Sequence, residues 1–260
     1  MMRGFRARLL AKETMIGSFV KTAAPQMIEI GALAGLDFVV LDSEHAPFSP
    51  ADLDRGVLAG KAAGIAVVVR VPDYAGPWIQ QALDLGADGV LVPHVSSADI
   101  AMTVVRAARF AAGARGFSNS PRTGGYGSIS MKEMVHCEDE RVAVIAQIED
   151  RGGVEDIRRI VDVAGIDALF LGRADLAVSY GASGPQDAKI AALAASVSAS
   201  AADRGCACGT FIANSDGVDT ELASGITFFV IGSDQSVLRS GWLNSVSTFR
   251  ELVQTSQHGL

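Results

Sequence analysis

Cysteine is scarce in this chain, with three residues in 260. An odd and sparse set cannot build a disulfide framework, so a reducing compartment such as the cytoplasm is the simpler expectation. Cys206 and Cys208 are spaced as a pair that could bind a soft metal, but no second pair accompanies them. Because free cysteines are commonly buried, the pattern favours buried thiols over a metal site.

Basic residues are outnumbered, 22 against 29 acidic ones, which gives a net charge of −7 at pH 7. Nucleic acid and anionic membranes both attract clustered lysine and arginine, so we expect neither as a main partner. Long apolar runs are missing too, since none approaches the roughly 18 residues of a membrane span. The basic start, residues 1–20, has an apolar run too short for a signal peptide, and Glu13 follows it. We expect a soluble protein, with small metabolites and metal cations as the remaining candidate ligands.

Short apolar runs rich in β-branched residues are what the chain has in quantity, and an alanine-rich, helix-like stretch follows each of them. The runs are continuously apolar rather than alternating, which is typical of strands buried on both faces. The predicted strands are residues 15–20, 37–42, 65–71, 89–95, 142–149, 168–172, 208–213 and 227–232.

Eight strand–helix units in about 250 residues predict an α/β fold, the (β/α)₈ TIM barrel. Ser49 and Pro50 are typical of the start of a helix, and Ser96 or Ser97 caps another. A doubly wound open sheet is the alternative, but it needs an early glycine-rich phosphate loop, and "GALAGLDF" (31–38) is typical of a helix end. No linker or shift in composition divides the chain, so we predict one domain spanning residues 1–260.

Polar residues follow most of the predicted strands, at the ends where a TIM barrel carries its active site. The stretch "VVLDSEHAPFS" (39–49) places Asp42, Glu44 and His45 directly after the second strand. The strand starts carry mostly glycine, alanine and aspartate in turns, without a comparable cluster. The other strands are followed by Arg70, His94, Gln147 with Glu149, Arg173 with Asp175, and Ser233 with Asp234. "DSEH" is therefore predicted to lie on the functional rim.

Two carboxylates near neighbouring strand ends indicate a cation site. Alternation in the fifth strand puts Gln147 and Glu149 on the same side, and Asp175 follows the next strand. Adjacent strands lie about 5 Å apart, so Glu149 and Asp175 can converge on one hard cation such as Mg²⁺ or Mn²⁺. The alternative is a helix-capping role for Asp175 and a surface ion pair for Glu149.

Arg70 ends a strand inside the predicted barrel, where an unpaired guanidinium would be costly. It needs an anion, either a protein carboxylate or the carboxylate or enolate of a substrate, and the sequence leaves both open. His45 is the candidate acid or base because imidazole titrates near neutrality, the alternative being a structural histidine bonded to a loop carbonyl. His94 is a supporting candidate on the same rim.

The loop of residues 113–127, "GARGFSNSPRTGGYG", is long and glycine-rich and holds Arg115 and Arg122. It predicts a mobile lid or anion-binding loop over the rim, with a solvated connector as the alternative.

Lysine is also scarce, with five residues, none within a predicted strand and only Lys21 near a strand end. A Schiff-base mechanism is therefore not expected, and metal-assisted enolate chemistry is favoured.

In these same segments the chain resembles the HpcH/HpaI family of metal-dependent (class II) pyruvate aldolases. No single motif is specific, but the combination is, and it covers nearly the whole chain. The resemblance also assigns the basic start to the first barrel helix rather than to a transit peptide. The matching segments are "FRARLLAKETMIGSFV", "VVLDSEHAP", "VVVRVP", "QALDLGADGVLVPHVSSADIA", "VIAQIED", "GIDALFLGRADLAVSYG" and "FFVIGSDQSVLRSG".

The resemblance implies a metal site and a pyruvate site. Glu149 and Asp175 would bind a divalent cation, Mg²⁺, Mn²⁺ or Co²⁺, with no organic cofactor. Arg70 would hold the keto oxygen of pyruvate. The pyruvate end would be bound by Gln147, Gly172, Ala174 and Asp175.

By the same resemblance His45 would be the base, with Asp42 nearby and Asp84 polarising it. Two departures from the family pattern stand out. Arg173 occupies a position where the family often has proline, which places a positive charge beside the metal site. The 113–127 loop also differs from that of better-known aldolases and leaves the aldehyde open.

The implied reaction is the reversible cleavage of a 4-hydroxy-2-oxo acid to pyruvate and an aldehyde, through a metal-stabilised pyruvate enolate. Three alternatives stay open: oxaloacetate decarboxylation, CoA-ester lyase chemistry, and a catalytically silent metal- or ligand-binding protein. A CoA-ester lyase would need a basic site for adenosine phosphates, and the sequence does not locate one.

The stretch of residues 236–256 has bulky apolar residues at helical spacing, among them Trp242, Phe249 and Leu252. Part of it closes its own barrel, but it carries more apolar surface than a terminal helix usually hides. The resemblance implies C-terminal helices that pack on a neighbouring subunit. We predict a homo-oligomer, a hexamer built as a dimer of trimers.

Overall fold

The computed structural model describes residues 4–111 and 113–258 of the chain. The predicted domain of residues 1–260 reaches beyond the described residues at both ends and at residue 112.

Eight parallel strands form a closed barrel in chain order. Each strand pairs with the next one, and the eighth strand pairs with the first to close the barrel. The TIM-barrel prediction is confirmed, and the open-sheet alternative is wrong. The strands are β1 Met15–Val20, β2 Phe38–Asp42, β3 Ala66–Arg70, β4 Gly89–Val92, β5 Ala143–Ile148, β6 Ala168–Leu171, β7 Ala207–Ile212 and β8 Phe228–Ser233.

The predicted strand bounds hold to within a residue or so, except at the fourth strand. It was predicted to reach Val95 but ends at Val92. Pro93 has no N–H to give to the sheet, and His94 has a φ of +55°, which turns the chain out of the strand.

Helices surround the barrel, and two of them begin with caps that the sequence predicts. Ser49 forms a capping box with Asp52, and Ser97 rather than Ser96 caps the helix after β4. A short 3₁₀ segment spans Arg122–Gly127. The helices are α1 Phe5–Leu10, α2 Pro25–Leu33, α3 Pro50–Ala63, α4 Gly76–Asp84, α5 Ala98–Ala108, α6 Met131–Arg141, α7 Arg151–Glu155, α8 Ile157–Val161, α9 Arg173–Tyr180, α10 Ala188–Asp203, α11 Val218–Ala223 and α12 Asp234–His258.

Phenylalanine rings fill the interior of the barrel. Phe38, Phe170 and Phe228 are buried there, with ring centroids 6.1 to 6.4 Å apart along the series. Room for two of these rings comes from glycines, because a Cβ on Gly17 would lie 2.5 Å from Phe38 and one on Gly209 would lie 2.3 Å from Phe228. The interior is therefore a packed core, and ligands are confined to its carboxyl end.

Aspartates that precede the even-numbered strands close the opposite end. Each of three accepts a hydrogen bond from a backbone N–H of the preceding strand and donates its own N–H to the carbonyl of that same residue. The pairs are Asp37 with Ile16, Asp88 with Val67, and Asp167 with Val144. The sequence places aspartate in the turns before the strands, and the structure shows that these aspartates join neighbouring strands.

The helix α12 is 25 residues long and contacts β1 and β8 through its first part. Its large apolar side chains remain exposed, Trp242 to 66% and Phe249 to 68%. No helix among the described residues is both long and apolar enough to cross a bilayer.

Candidate active site

Asp42, the last residue of β2, is fully buried and holds Arg70, the last residue of β3. Its two oxygens accept hydrogen bonds from Arg70 Nε at 2.9 Å and Nη2 at 2.8 Å, and one also accepts the N–H of His45 at 3.1 Å. Burial alone would raise the pKa of Asp42, but the bonds and charge of Arg70 outweigh it and lower that pKa below its ordinary value. Lys21 Nζ lies 3.2 Å from the same carboxylate. Asp42 is therefore a fixed negative charge under the guanidinium.

Arg70 is held on three sides. Beyond Asp42, its Nη1 lies 3.3 Å from Glu44, and the guanidinium stacks over the ring of Phe19 at 4.5 Å. The question left open by the sequence is answered in part, because protein carboxylates neutralise this arginine. Arg70 nevertheless lines the cleft at the carboxyl end of the barrel, so it also faces any ligand bound there.

Gln147 and Glu149 lie together at the end of β5, as their alternation predicts, and each is only 2% exposed. Gln147 Nε2 donates to one oxygen of Glu149, and the backbone N–H of His94 donates to the other at 2.7 Å. Burial raises the pKa of Glu149, and these two hydrogen bonds offset only part of the effect. The groups around Glu149 therefore compensate only part of the cost of burying its negative charge.

Gly172 follows β6 and packs directly against this pair. A Cβ at this position would lie 2.7 Å from Glu149 Cβ and 2.9 Å from its Oε2, so only glycine fits without moving the carboxylate. Asp175 stands one turn further on, in the first turn of α9. It is exposed to the cleft and close enough to contribute to the raised pKa of Glu44, whose main cause is burial.

One cleft of about 780 Å³ joins several of the predicted substrate residues. Its apolar wall is formed by Phe19, Phe170 and Phe211. The predicted substrate residues that line it are Arg70, Gln147, Gly172, Ala174 and Asp175.

Glu44 and His94 belong to this constellation, although the sequence analysis assigns no chemical role to Glu44 and only a supporting one to His94. One ligand atom each from Glu44, His94 and Glu149 lie within 4.8 Å of one another. The "EH" after β2 and the "PH" after β4 were the available signals, but only the closed barrel brings these two strand ends together.

His45 and Asp84 are not brought together within the chain. His45 is 54% exposed, with Nε2 3.8 Å from Glu44. Asp84 ends α4 and accepts hydrogen bonds from Arg115 at 2.8 Å and Gln80 at 3.5 Å.

The 113–127 loop does not cover the cleft of its own chain, so the prediction of a mobile lid over the rim is wrong there. Arg115 is buried between Asp84 and Glu138, and Arg122 is bonded to Asp54. These contacts fix the loop against α3, α4 and α6, and the loop lines a separate groove of about 990 Å³ beside Asp84.

The two neighbouring cysteines offer no thiolate pair. Cys208 is buried in β7 and Cys206 is half-buried, and burial raises the pKa of each thiol to about 12.

Comparison with known proteins gives a consistent result. The profile of the HpcH/HpaI aldolase/citrate lyase family matches residues 15–240. A 5-keto-4-deoxy-D-glucarate aldolase from Salmonella arizonae is 31% identical over 249 residues, which cover 95% of this chain and 96% of that enzyme. Among solved structures, an HpcH/HpaI aldolase from Desulfitobacterium hafniense has a TM-score of 0.90 at 28% identity, covering 96% and 98% of the two chains. An HpcH/HpaI aldolase/citrate lyase family protein from Burkholderia cenocepacia has a TM-score of 0.89 at 29% identity, covering 94% and 98%.

Proposed function

The chain belongs to the HpcH/HpaI aldolase/citrate lyase family, and from this premise we propose that it is a class II aldolase. It reversibly cleaves a 4-hydroxy-2-oxo acid to pyruvate and an aldehyde, as a carbon–carbon lyase that uses a divalent cation. The observation that carries this proposal is that buried Arg70, fixed by Asp42, lines the same cleft as Gln147, which donates a hydrogen bond to the buried carboxylate of Glu149.

The residues present fit a divalent cation. Glu149 is buried with a raised pKa, and the buried Oε1 of Gln147 beside it accepts no hydrogen bond among the described residues. Carboxylate and amide oxygens suit Mg²⁺, Mn²⁺ or Co²⁺. Glu149 and Asp175 would hold the ion, which when bound would stabilise negative charge on the substrate oxygens as a Lewis acid.

Arg70 stabilises the enolate oxygen that forms as the C3–C4 bond breaks. Asp42, Glu44 and Phe19 hold its guanidinium in place before the substrate arrives, so little reorganisation accompanies the reaction. Such preorganised charge is usually the largest contribution to this kind of catalysis.

The first turn of α9 forms a cradle for the pyruvate carboxylate. The first N–H groups of a helix have no partner within it, and no side chain caps α9. The N–H groups of Ala174 and Asp175 can therefore donate to an anion. Gly172 lets the substrate approach Gln147 because it has no side chain of its own.

His45 acts as the base from the solvent side of the cleft. In cleavage it takes the proton of the C4 hydroxyl through a water molecule, and the electrons of the C3–C4 bond pass to pyruvate as its enolate. Asp84 does not reach His45 within the chain, so its role in polarising the imidazole requires a neighbouring subunit.

The apolar face of α12 supports a homo-oligomer, a hexamer arranged as a dimer of trimers in which α12 packs on a neighbour. The described residues form one barrel domain, and we propose that the protein acts in the cytoplasm.

A panel of aldehydes offered with pyruvate, read by product mass, tests the reaction and identifies the aldehyde. We expect condensation products that EDTA abolishes and Mg²⁺, Mn²⁺ or Co²⁺ restores. Oxaloacetate in the same panel tests decarboxylation as a side activity. No product from any aldehyde, with the cation bound, would indicate a binding protein instead.

A further inference from the structure

The imidazole of His94 stands between the two carboxylates of the rim. Its Nε2 lies 3.7 Å from Glu44 Oε1, and its Nδ1 lies 3.4 Å from Glu149 Oε1. One ligand atom each from Glu44, His94 and Glu149 lie within 4.8 Å of one another. Ligands that share one cation at 2.0–2.2 Å are about 3 to 3.5 Å apart, so the distance from Nε2 to Glu44 is close to that of two ligands of one ion.

Two buried oxygens of the rim, one on Glu44 and one on Gln147, lack hydrogen-bond partners among the described residues. The side chain of Glu44 is nine-tenths buried, and its Oε2 accepts no hydrogen bond, although Arg70 Nη1 lies 3.3 Å away. Oε1 of Gln147 also accepts none, and this residue is 2% exposed. Buried oxygens that accept no hydrogen bond are groups that a cation would satisfy.

Asp150 selects the ring nitrogen that is free to coordinate. Its carboxylate lies 3.1 Å from His94 Nδ1, within hydrogen-bond distance. A histidine that binds a metal typically donates its other N–H to a carboxylate in this way, which fixes the tautomer and the ring orientation. Nε2 then keeps its lone pair on the side of Glu44. The ring is half-exposed, so an ion can reach it from solvent.

We propose that His94 Nε2 is a nitrogen ligand to the cation at this site, so that the protein prefers transition metals such as Mn²⁺ and Co²⁺ to Mg²⁺. The inference rests on the proposed function, because it assigns one more ligand to the cation that Glu149 and Asp175 would hold. Mg²⁺ favours oxygen ligands, whereas imidazole suits first-row transition metals and binds Co²⁺ more tightly than Mn²⁺.

Calorimetry on metal-free protein with Mg²⁺, Mn²⁺ and Co²⁺ separately provides the test. The variant is His94→Asn, since asparagine tolerates the positive φ of this position and can still bond to Asp150. We expect the Co²⁺ dissociation constant to rise about tenfold or more, and that for Mg²⁺ to change less than about threefold. His136→Asn, at an exposed position of α6, is the matched control and should bind all three ions as the unmodified protein does.

Pulsed electron paramagnetic resonance of the unmodified protein with Mn²⁺ and ¹⁵N-labelled histidine gives an answer that needs no variant to fold. We expect a nitrogen coupling from a directly bound imidazole, lost in His94→Asn. Tight Mn²⁺ binding without that coupling would overturn the role of His94 and leave the proposed aldolase intact. Failure of the unmodified protein to bind any of the three ions would overturn both.

Discussion

Asp42 and Arg70 illustrate how one buried pair prepares the site. Arg70 is 5% exposed and Asp42 is not exposed at all, so neither charge is stable there without the other. The carboxylate takes two guanidinium donors and leaves Nη1 directed toward Glu44. The same hydrogen bonds that compensate the buried charge of Arg70 therefore set the orientation of its guanidinium toward the cleft.

Asp42→Asn should destabilise the protein by about 3 kcal/mol at pH 7, because it removes the carboxylate charge that accepts two hydrogen bonds from the buried guanidinium. The folded pKa of Asp42 is lowered, so the contribution is complete above the unfolded pKa of about 3.9 and is lost as pH falls through the lower folded pKa. Urea denaturation of both proteins between pH 7 and pH 3 measures this, and the difference should shrink below about pH 4. A difference that stays constant to pH 3 would contradict the pairing.

His45→Ala should leave binding of the cation and pyruvate nearly unchanged but slow aldol turnover by about 10²- to 10⁴-fold, as general-base losses do. The side chain is half-exposed and makes no hydrogen bond among the described residues, so the fold should be unaffected. Steady-state kinetics with calorimetry of Mn²⁺ binding separates the two effects, and normal turnover would remove His45 from the mechanism.

At the scale of elements, the aspartates before β2, β4 and β6 fasten each strand to its neighbour. Asp167 is the most connected, because it also receives Arg6 at 2.9 Å and Arg109 at 3.0 Å. Arg109 in turn donates to the carbonyl of Val142, where β5 begins. A buried ionic cluster thus holds the strands together at the closed end of the barrel. At the other end, the polar side chains of the candidate active site lie at the strand termini.

Asp167→Ala should lower the free energy of unfolding by about 3–5 kcal/mol, the usual cost of removing one partner of a buried ion pair. Asp203→Ala, at an exposed position in the last turn of α10, is the matched control and should change it by less than about 0.5 kcal/mol. Denaturant titrations decide the matter, and similar small effects for both variants would show that the cluster adds no stability.

At the scale of the whole molecule, α12 carries a row of large apolar side chains that the described residues leave exposed. Trp242, Phe249 and Leu252 are each at least 64% exposed. Exposed apolar patches of this kind mark interaction surfaces. A neighbouring copy packed on α12 would cover the row.

Light scattering should report an oligomer for the unmodified protein at micromolar concentration. Trp242→Glu combined with Phe249→Glu should dissociate it, because two charges would be buried at the interface. Asn244→Glu, at an exposed polar position of the same helix, is the control and should leave the assembly intact. A stable, fully active monomer of the unmodified protein would contradict the proposed assembly.

The sequence predicts the barrel well because each strand carries its own signal, a run of residues such as "AVVVR" that suits burial on both faces. It also places Arg70, Gln147 and Glu149 on the rim, since strand ends in a parallel barrel share one edge. It does not reveal that Glu44 meets His94, because that contact depends on how far each loop turns after its strand. The sequence also does not reveal that the 113–127 loop is held against the helices. The residues that bind Arg115, Asp84 and Glu138, lie far from it in the chain.

The exchange of pyruvate methyl protons with deuterium tests the central claim most directly, because it needs enolate formation at this cleft and no aldehyde. With a divalent cation present, the methyl signal of pyruvate in D₂O should disappear in nuclear magnetic resonance spectra. EDTA and the variants Glu149→Ala and Arg70→Ala should each stop the exchange, while Asp203→Ala should not affect it. Exchange that continues at the normal rate in Arg70→Ala and Glu149→Ala would contradict the account.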